Sequence, residues 1–149
     1  MTEEPTQDRE PGAGSLQGVR VMLVDDEIDG RTLLAEILGA HGAEVRTCES
    51  AAEARAALVA ERPHLIISDI GMPRESGLDL MRSIRAMDVG RVPAIALTGY
   101  DQDSLRIEAL EAGYDRHVAK PVDPRELVVL AVTLLASRSP GPWEDLRSL

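Results

Sequence analysis

Phenylalanine is absent from this 149-residue chain, and aromatic residues make up only 2% of it: Tyr100, Tyr114 and Trp143. The core must therefore be built from Leu, Ile, Val, Ala and Met, in a chain that is 44% hydrophobic. The single cysteine, Cys48, excludes an internal disulfide, and no pair stands at zinc-ligand spacing. That usage fits a reducing compartment, so a cytoplasmic location is expected. No segment approaches the roughly 18 continuous apolar residues of a membrane span. The start, Met1-Thr2-Glu3-Glu4, is acidic and lacks the apolar stretch of a secretory signal. Positive charge is scarce too: 16 basic residues face 26 acidic ones, for a net charge of −10. Phosphate backbones need clustered Lys and Arg, so neither nucleic acid nor membrane is expected as a partner.

Lysine is scarcest of all. Lys120 is the one lysine, in Val118-Ala119-Lys120-Pro121, and every other basic residue is arginine. An ammonium is a compact point charge on a flexible stem, whereas a guanidinium is a wide planar fork. A chain that keeps one lysine among arginines is using a compact cation, which suits a small anionic pocket.

What is present alternates between two patterns. Residues 1–18, rich in Pro and Gly with four acids, read as a disordered lead. A tail, 137–149, begins near Ser137 and contains Ser139-Pro140-Gly141-Pro142, which stops a helix. The folded unit is then 19–136. Within it, strand-like apolar runs occur at Val19–Val24, Leu65–Ser68 and Ala94–Thr98, with weaker ones at Glu44–Cys48 and Arg116–Ala119. Helical spacing predicts helices over Ile28–Ala40, Ala51–Ala60, Ser76–Met87, Gln102–Ala112 and Pro124–Ala136. In the first of these, Ile28, Leu33, Leu34, Ile37 and Leu38 share a face. Asp123 is a fitting N-cap for the last helix, with Pro124 in its first position, and Gly113 a fitting C′ residue for the helix before it. Strands apolar at successive positions suit a parallel sheet covered on both faces, and right-handed crossovers then give an α/β doubly wound open sheet.

Ligands in such sheets bind at the carboxyl ends of the strands. Those ends read Val24-Asp25-Asp26-Glu27, Ser68-Asp69-Ile70-Gly71-Met72-Pro73, Leu97-Thr98-Gly99 and Ala119-Lys120-Pro121. Three carboxylates, one hydroxyl and one ammonium converge on one edge. Carboxylates this close repel unless a cation joins them, and Mg2+ is a hard ion that takes one or two carboxylates plus water and phosphate oxygens. A carboxylate can take a phosphoryl group as an acyl phosphate. Lys120 and Thr98 would then face its equatorial oxygens. Asp69, alone at a central strand end, is the better nucleophile, and Asp25 and Asp26 the better metal-holding pair. Each aspartate alone could equally cap a loop, with Asp26 or Asp29 as N-cap of the first helix and Asp69 in an Asx-turn.

The four strand ends together resemble the receiver domain of bacterial response regulators, over residues 19–136. The resemblance implies a flavodoxin-like five-stranded sheet in the order 2-1-3-4-5 with five helices. It implies Asp69 as phosphoacceptor and a member of the Mg2+ site, with Asp26 binding Mg2+ directly, Asp25 mostly through water and the Gly71 carbonyl as a backbone ligand. It also implies Thr98 as switch hydroxyl, Lys120 as counter-ion and a cis Lys120-Pro121 bond. A histidine kinase or phosphotransfer domain would be the donor, and an unidentified downstream protein the listener. Phosphoryl acceptance and slow self-release would be the only chemistry, so the chain is not expected to be a turnover enzyme. One position departs from the pattern: the family commonly has Tyr or Phe three residues before the lysine, where this chain has His117. The run from Gly113 to Asp123 is most similar to receivers of hybrid histidine kinases. His41 and His64 read as solvated loop residues.

The last helix is apolar around much of its circumference: Leu127, Leu130, Ala131 and Leu134 form one face, extended by Val128, Val129, Val132 and Leu135. That pattern suggests a partner, a second copy through this helix, or the tail residues Trp143, Leu146 and Leu149. The chain acts alone, by docking, or as the receiver piece of a larger hybrid kinase. Two other classes compete with the phosphoacceptor switch. One is a docking module indifferent to phosphorylation; the other is an aspartate-nucleophile phosphatase, which would want its first-strand aspartates separated by one residue. A nucleotide fold is weaker, since no Gly-rich fingerprint follows the first strand.

Overall fold

A computed structural model describes residues 14–99 and 103–137, and in it strands and helices alternate. Strands β1 (Arg20–Val24), β2 (Glu44–Cys48), β3 (Leu65–Asp69), β4 (Ala94–Thr98) and β5 (Arg116–Ala119) alternate with helices α1 (Ile28–Ala40), α2 (Ala51–Ala60), α3 (Gly77–Ala86), α4 (Asp103–Ala112) and α5 (Pro124–Ser137). All pairings are parallel and the sheet order is β2-β1-β3-β4-β5. The expected doubly wound architecture is the one found.

Successive strand residues point to opposite faces, and the core divides accordingly. Met22, Val24, Ile66, Ala94 and Ala96 pack with the buried residues of α2 and α3 and with Ala109 and Ala112 of α4. Val21, Leu23, Leu65, Ile67, Ile95 and Leu97 pack with those of α1 and α5. Every residue of β3 and β4 is buried, which is why these strands read as unbroken apolar runs. Each fully buried Leu or Ile contributes about 1.5–3 kcal/mol relative to exposure, so aliphatic side chains suffice without phenylalanine.

Several expectations need correction. The lead predicted as disordered over 1–18 is ordered at its end, while residues 1–13 lie outside the described residues. Leu16 is fully buried among Val21, Leu38 and the α5 residues, and its amide bonds the His41 carbonyl at 2.8 Å. One large apolar residue in a polar segment was enough to anchor it. On α1, Leu34 and Leu38 face the sheet as expected, but Ile28 and Leu33 are 63% and 54% exposed. The third buried member of the stripe is Arg31, at helical spacing from Leu34 and Leu38. The residue before α1 is Glu27, with no side-chain cap bond, so neither Asp26 nor Asp29 caps it. On α5, Val128 and Leu135 are buried in the core rather than left for a partner. Val129 remains exposed, and Leu130 and Val132 are half-buried. Asp123 does bond the amides of Arg125 and Glu126 at the start of α5, and Gly113 ends α4 at φ 122°. Gln102 and the tail residues Trp143, Leu146 and Leu149 lie outside the described residues.

His64 is not solvated. It is 7% exposed, and its Nδ1 accepts the Arg20 amide at 3.0 Å. Burial, helped by the charges of Arg20 and Arg62, lowers its pKa below the ordinary 6.5. The unfolded chain therefore takes up a proton at His64 before the folded one does. Stability is expected to fall as pH drops below about 6.5 and to level off once the folded-state pKa is passed. Urea unfolding midpoints at pH 7 and pH 5 check this: the loss should be smaller in His64→Gln, whose side chain does not titrate. His41 is half-buried, with its ring Nδ1 2.9 Å from the Ile37 carbonyl.

Candidate functional site

The sheet order makes β1 and β3 neighbours at its centre, in a register pairing Val24 with Ser68. The next residue on each chain is an aspartate, so Asp25 and Asp69 emerge side by side. Thr98 ends β4, and its carbonyl accepts the Lys120 amide at 2.7 Å, which carries Lys120 to the same edge. The Lys120-Pro121 bond is cis, as expected.

The side chains meet. The Lys120 ammonium donates to Asp69 Oδ2 at 2.9 Å and lies 3.9 Å from Asp25 Oδ2. Asp25, Asp26 and Asp69 each offer an oxygen within 4.8 Å of the others. Asp25, Asp69 and Thr98 are buried at 2%, 6% and 3% exposure, while Asp26 is exposed. Of the loop-capping alternatives, the Asx-turn of Asp69 is present, and Asp25 makes a second one, each through the opposite carboxylate oxygen. Asp25 Oδ1 accepts the Glu27 amide at 3.0 Å and Asp69 Oδ1 accepts the Gly71 amide at 3.1 Å. One oxygen of each aspartate fixes its orientation, and the other is presented to the cation. Asx-turns and a converging acidic pocket are thus one arrangement.

Charge follows geometry. Burial pushes the Asp25 carboxyl above its ordinary range; the Glu27 amide and Lys120 oppose this, and Asp69 and Asp26 add to it. Burial alone would lower the Lys120 pKa, but the hydrogen bond to Asp69 and the charges of Asp69, Asp25 and Glu27 outweigh it and leave it raised. The ammonium therefore stays charged at neutral pH. Two buried aspartates and an exposed third, with one ammonium between them, form an oxygen-donor set deficient in positive charge. That set fits a hard divalent cation such as Mg2+.

Supporting contacts that the sequence did not reveal surround the pocket. The hydroxyl of buried Tyr114 donates to the Gly77 carbonyl at 2.8 Å, and Ser68 Oγ donates to the Asp69 carbonyl at 3.0 Å. Gly77 must lack a side chain, because a Cβ there would collide with the Asp69 carbonyl and stand 2.8 Å from the Ile70 Cα. Arg55 on α2 grips Glu75, in the loop after Asp69, with Nη2 at 2.7 Å from Oε1. Arg31 donates to the Asp25 carbonyl at 2.8 Å. Its signal was a charge placed on the apolar stripe of α1. The departure at His117 sits half-buried on β5, opposite Ala96, and lines a cleft of about 330 Å³ with Glu126, Val129 and Leu130 of α5. Among the described residues no helix is long and apolar enough to cross a membrane.

Known proteins resemble this chain in sequence and fold. The family model described as the response regulator receiver domain matches residues 21–131. A 14.6 kDa uncharacterized protein from Leptolyngbya boryana is 39% identical over 117 residues, covering 78% of this chain and 89% of its own length. The phosphate regulon transcriptional regulatory protein PhoB of Pseudomonas aeruginosa is 34% identical over 128 residues, 85% of this chain and 56% of that protein. This chain thus spans about half the length of the transcriptional regulators it matches. The crystal structure of a putative response regulator from Chloroflexus aurantiacus superposes with a TM-score of 0.76 at 30% identity, covering 79% of this chain and 98% of that one. The matched span and the shared fold agree: this chain belongs to the response regulator receiver domains of two-component systems.

Proposed function

We propose that the domain is a Mg2+-dependent phosphoacceptor switch that takes a phosphoryl group onto Asp69. The observation that carries this reading is the Lys120 ammonium 2.9 Å from Asp69 Oδ2, in a pocket shared with Asp25 and Asp26. A carboxylate oxygen of Asp69 attacks phosphorus, the bond from phosphorus to the donor nitrogen breaks, and the donor imidazole keeps the electron pair and a proton. Lys120 neutralises charge on the transferred group, and Thr98 at the adjacent strand end supplies a hydroxyl. The Gly71 amide and the Asx-turn of Asp25 hold the carboxylates in place throughout. Asp25, Asp26 and Asp69, with the Gly71 carbonyl, would hold the cation. When bound, Mg2+ supplies charge stabilisation for the phosphoryl oxygens.

The donor is a histidine kinase or phosphotransfer domain, and the product is a stoichiometric phosphoprotein rather than a released compound. The listener is a downstream protein. We place the domain in the cytoplasm, where such kinases present their phosphohistidine. Incubation with acetyl phosphate and Mg2+, followed by intact mass, tests the reading. One added phosphoryl group is expected, and none once the metal is chelated. Hydrolysis of many donor molecules with no phosphoprotein would point instead to a phosphatase.

His117 favours a second reading, a docking module whose partner binding ignores phosphorylation. The usual aromatic at this position is replaced by a smaller polar ring. Partner affinity that is unchanged by acetyl phosphate would select it.

A further inference from the structure

Arg31 is a charged side chain held inside the protein that the phosphoacceptor mechanism leaves unused. It lies on α1 in the stripe with Leu34 and Leu38 and is 8% exposed. Burying a guanidinium is costly unless it is hydrogen-bonded, so the group it bonds is informative. Its Nη1 donates to the backbone carbonyl of Asp25, six residues earlier, at 2.8 Å. The same helical turn accommodates Asp25 a second way. Gly30 stands over that side chain, and a Cβ there would come within 3.4 Å of Asp25 Oδ2. From the other side the Asp25 amide bonds the Cys48 carbonyl at 3.0 Å. The residue is gripped at its amide by β2, at its carbonyl by α1 and at Oδ1 by the Glu27 amide.

We infer that Arg31 is a positioning residue for the cation site, locking the Asp25–Asp26 peptide so that both carboxylates converge with Asp69. The inference rests on reading those three aspartates as the Mg2+ ligands. Removing Arg31 has two opposed effects. Loss of a positive charge favours a bound cation, whereas loss of the clamp frees the loop that carries two of its ligands. The clamp dominates, because the guanidinium is aimed at a peptide carbonyl and the cation nearest the carboxylates is Lys120. Groups that orient metal ligands from behind are typically worth about 10–100-fold in affinity.

Calorimetric titration of the full chain with Mg2+ tests this in wild type, Arg31→Met and Arg31→Lys, each with thermal unfolding in the absence of metal. Arg31→Met is expected to bind Mg2+ about tenfold more weakly at a temperature where it remains folded. Arg31→Lys keeps a donor and the charge, and should recover most of the affinity. A merely structural role would lower the unfolding midpoint and leave the affinity of the folded protein unchanged. Wild-type affinity in Arg31→Met, or a lysine variant as weak as the methionine one, overturns the assignment while the cation site stands. A wild-type protein that gives no binding heat and no Mg2+-dependent shift in unfolding removes the site and the assignment together. If Arg31→Met does not fold, Arg31→Gln takes its place with the same outcomes.

Discussion

Asp69→Asn is expected to accept no phosphoryl group from acetyl phosphate under conditions that modify wild type, while keeping its secondary structure. The substitution removes the nucleophile without changing side-chain size. The Asn carbonyl can still accept the Gly71 amide, which in the native protein binds Asp69 Oδ1 at 3.1 Å. The amide nitrogen then lies where Oδ2 had met Lys120 at 2.9 Å, a donor facing a donor. A modest destabilisation should therefore accompany the loss of acceptance. Intact mass and circular dichroism measure the two effects separately. Residual phosphorylation in this variant would mean that another residue is the acceptor.

Lys120→Met should keep the nucleophile and lose the stabilisation of the transferred group. Removing one preorganised donor from a site of developing negative charge costs about 10²–10³-fold in rate. A rate of acceptance lower by that order is expected, read by intact mass over time. Lys120→Arg should not rescue it, because a planar fork does not fit where an ammonium sits between Asp69 and Asp25. Lys120→Met also leaves the two buried carboxylates facing each other without their shared cation. Its thermal midpoint without metal should fall, and Mg2+ should raise that midpoint by more than it does in wild type. An equal rise in both proteins would show that Lys120 and the divalent ion do not share one field.

The strand ends were legible because the chemistry sits directly on the most regular elements. β3 and β4 are buried at every position, so their apolar runs stop where the polar residues Asp69 and Thr98 begin. Period-two alternation then assigns the two faces of the sheet. Less legible were contacts made by residues whose type misleads. Arg31 lies in the core stripe of α1 because the Asp25 carbonyl satisfies it, a partner six residues away that periodicity alone cannot weigh. His64 is buried because it accepts the Arg20 amide across 44 residues. Leu16 belongs to the core because the turn before β1 returns it against the end of α1. On α5, apolar character around the helix suggested a partner surface, yet the sheet and α1 together cover a wider arc than one face of a helix. Val128 and Leu135 are spent on the core.

The central claim is that one carboxylate, Asp69, forms an acyl phosphate in a pocket completed by a divalent cation. Borohydride reduction after exposure to acetyl phosphate and Mg2+, then peptide mass spectrometry, examines it most directly, since reduction turns an aspartyl phosphate into homoserine. The expected result is homoserine at position 69 alone, and none when Mg2+ is withheld. Phosphate found instead on Thr98 or His117, or homoserine at Asp25 or Asp26, would contradict the account.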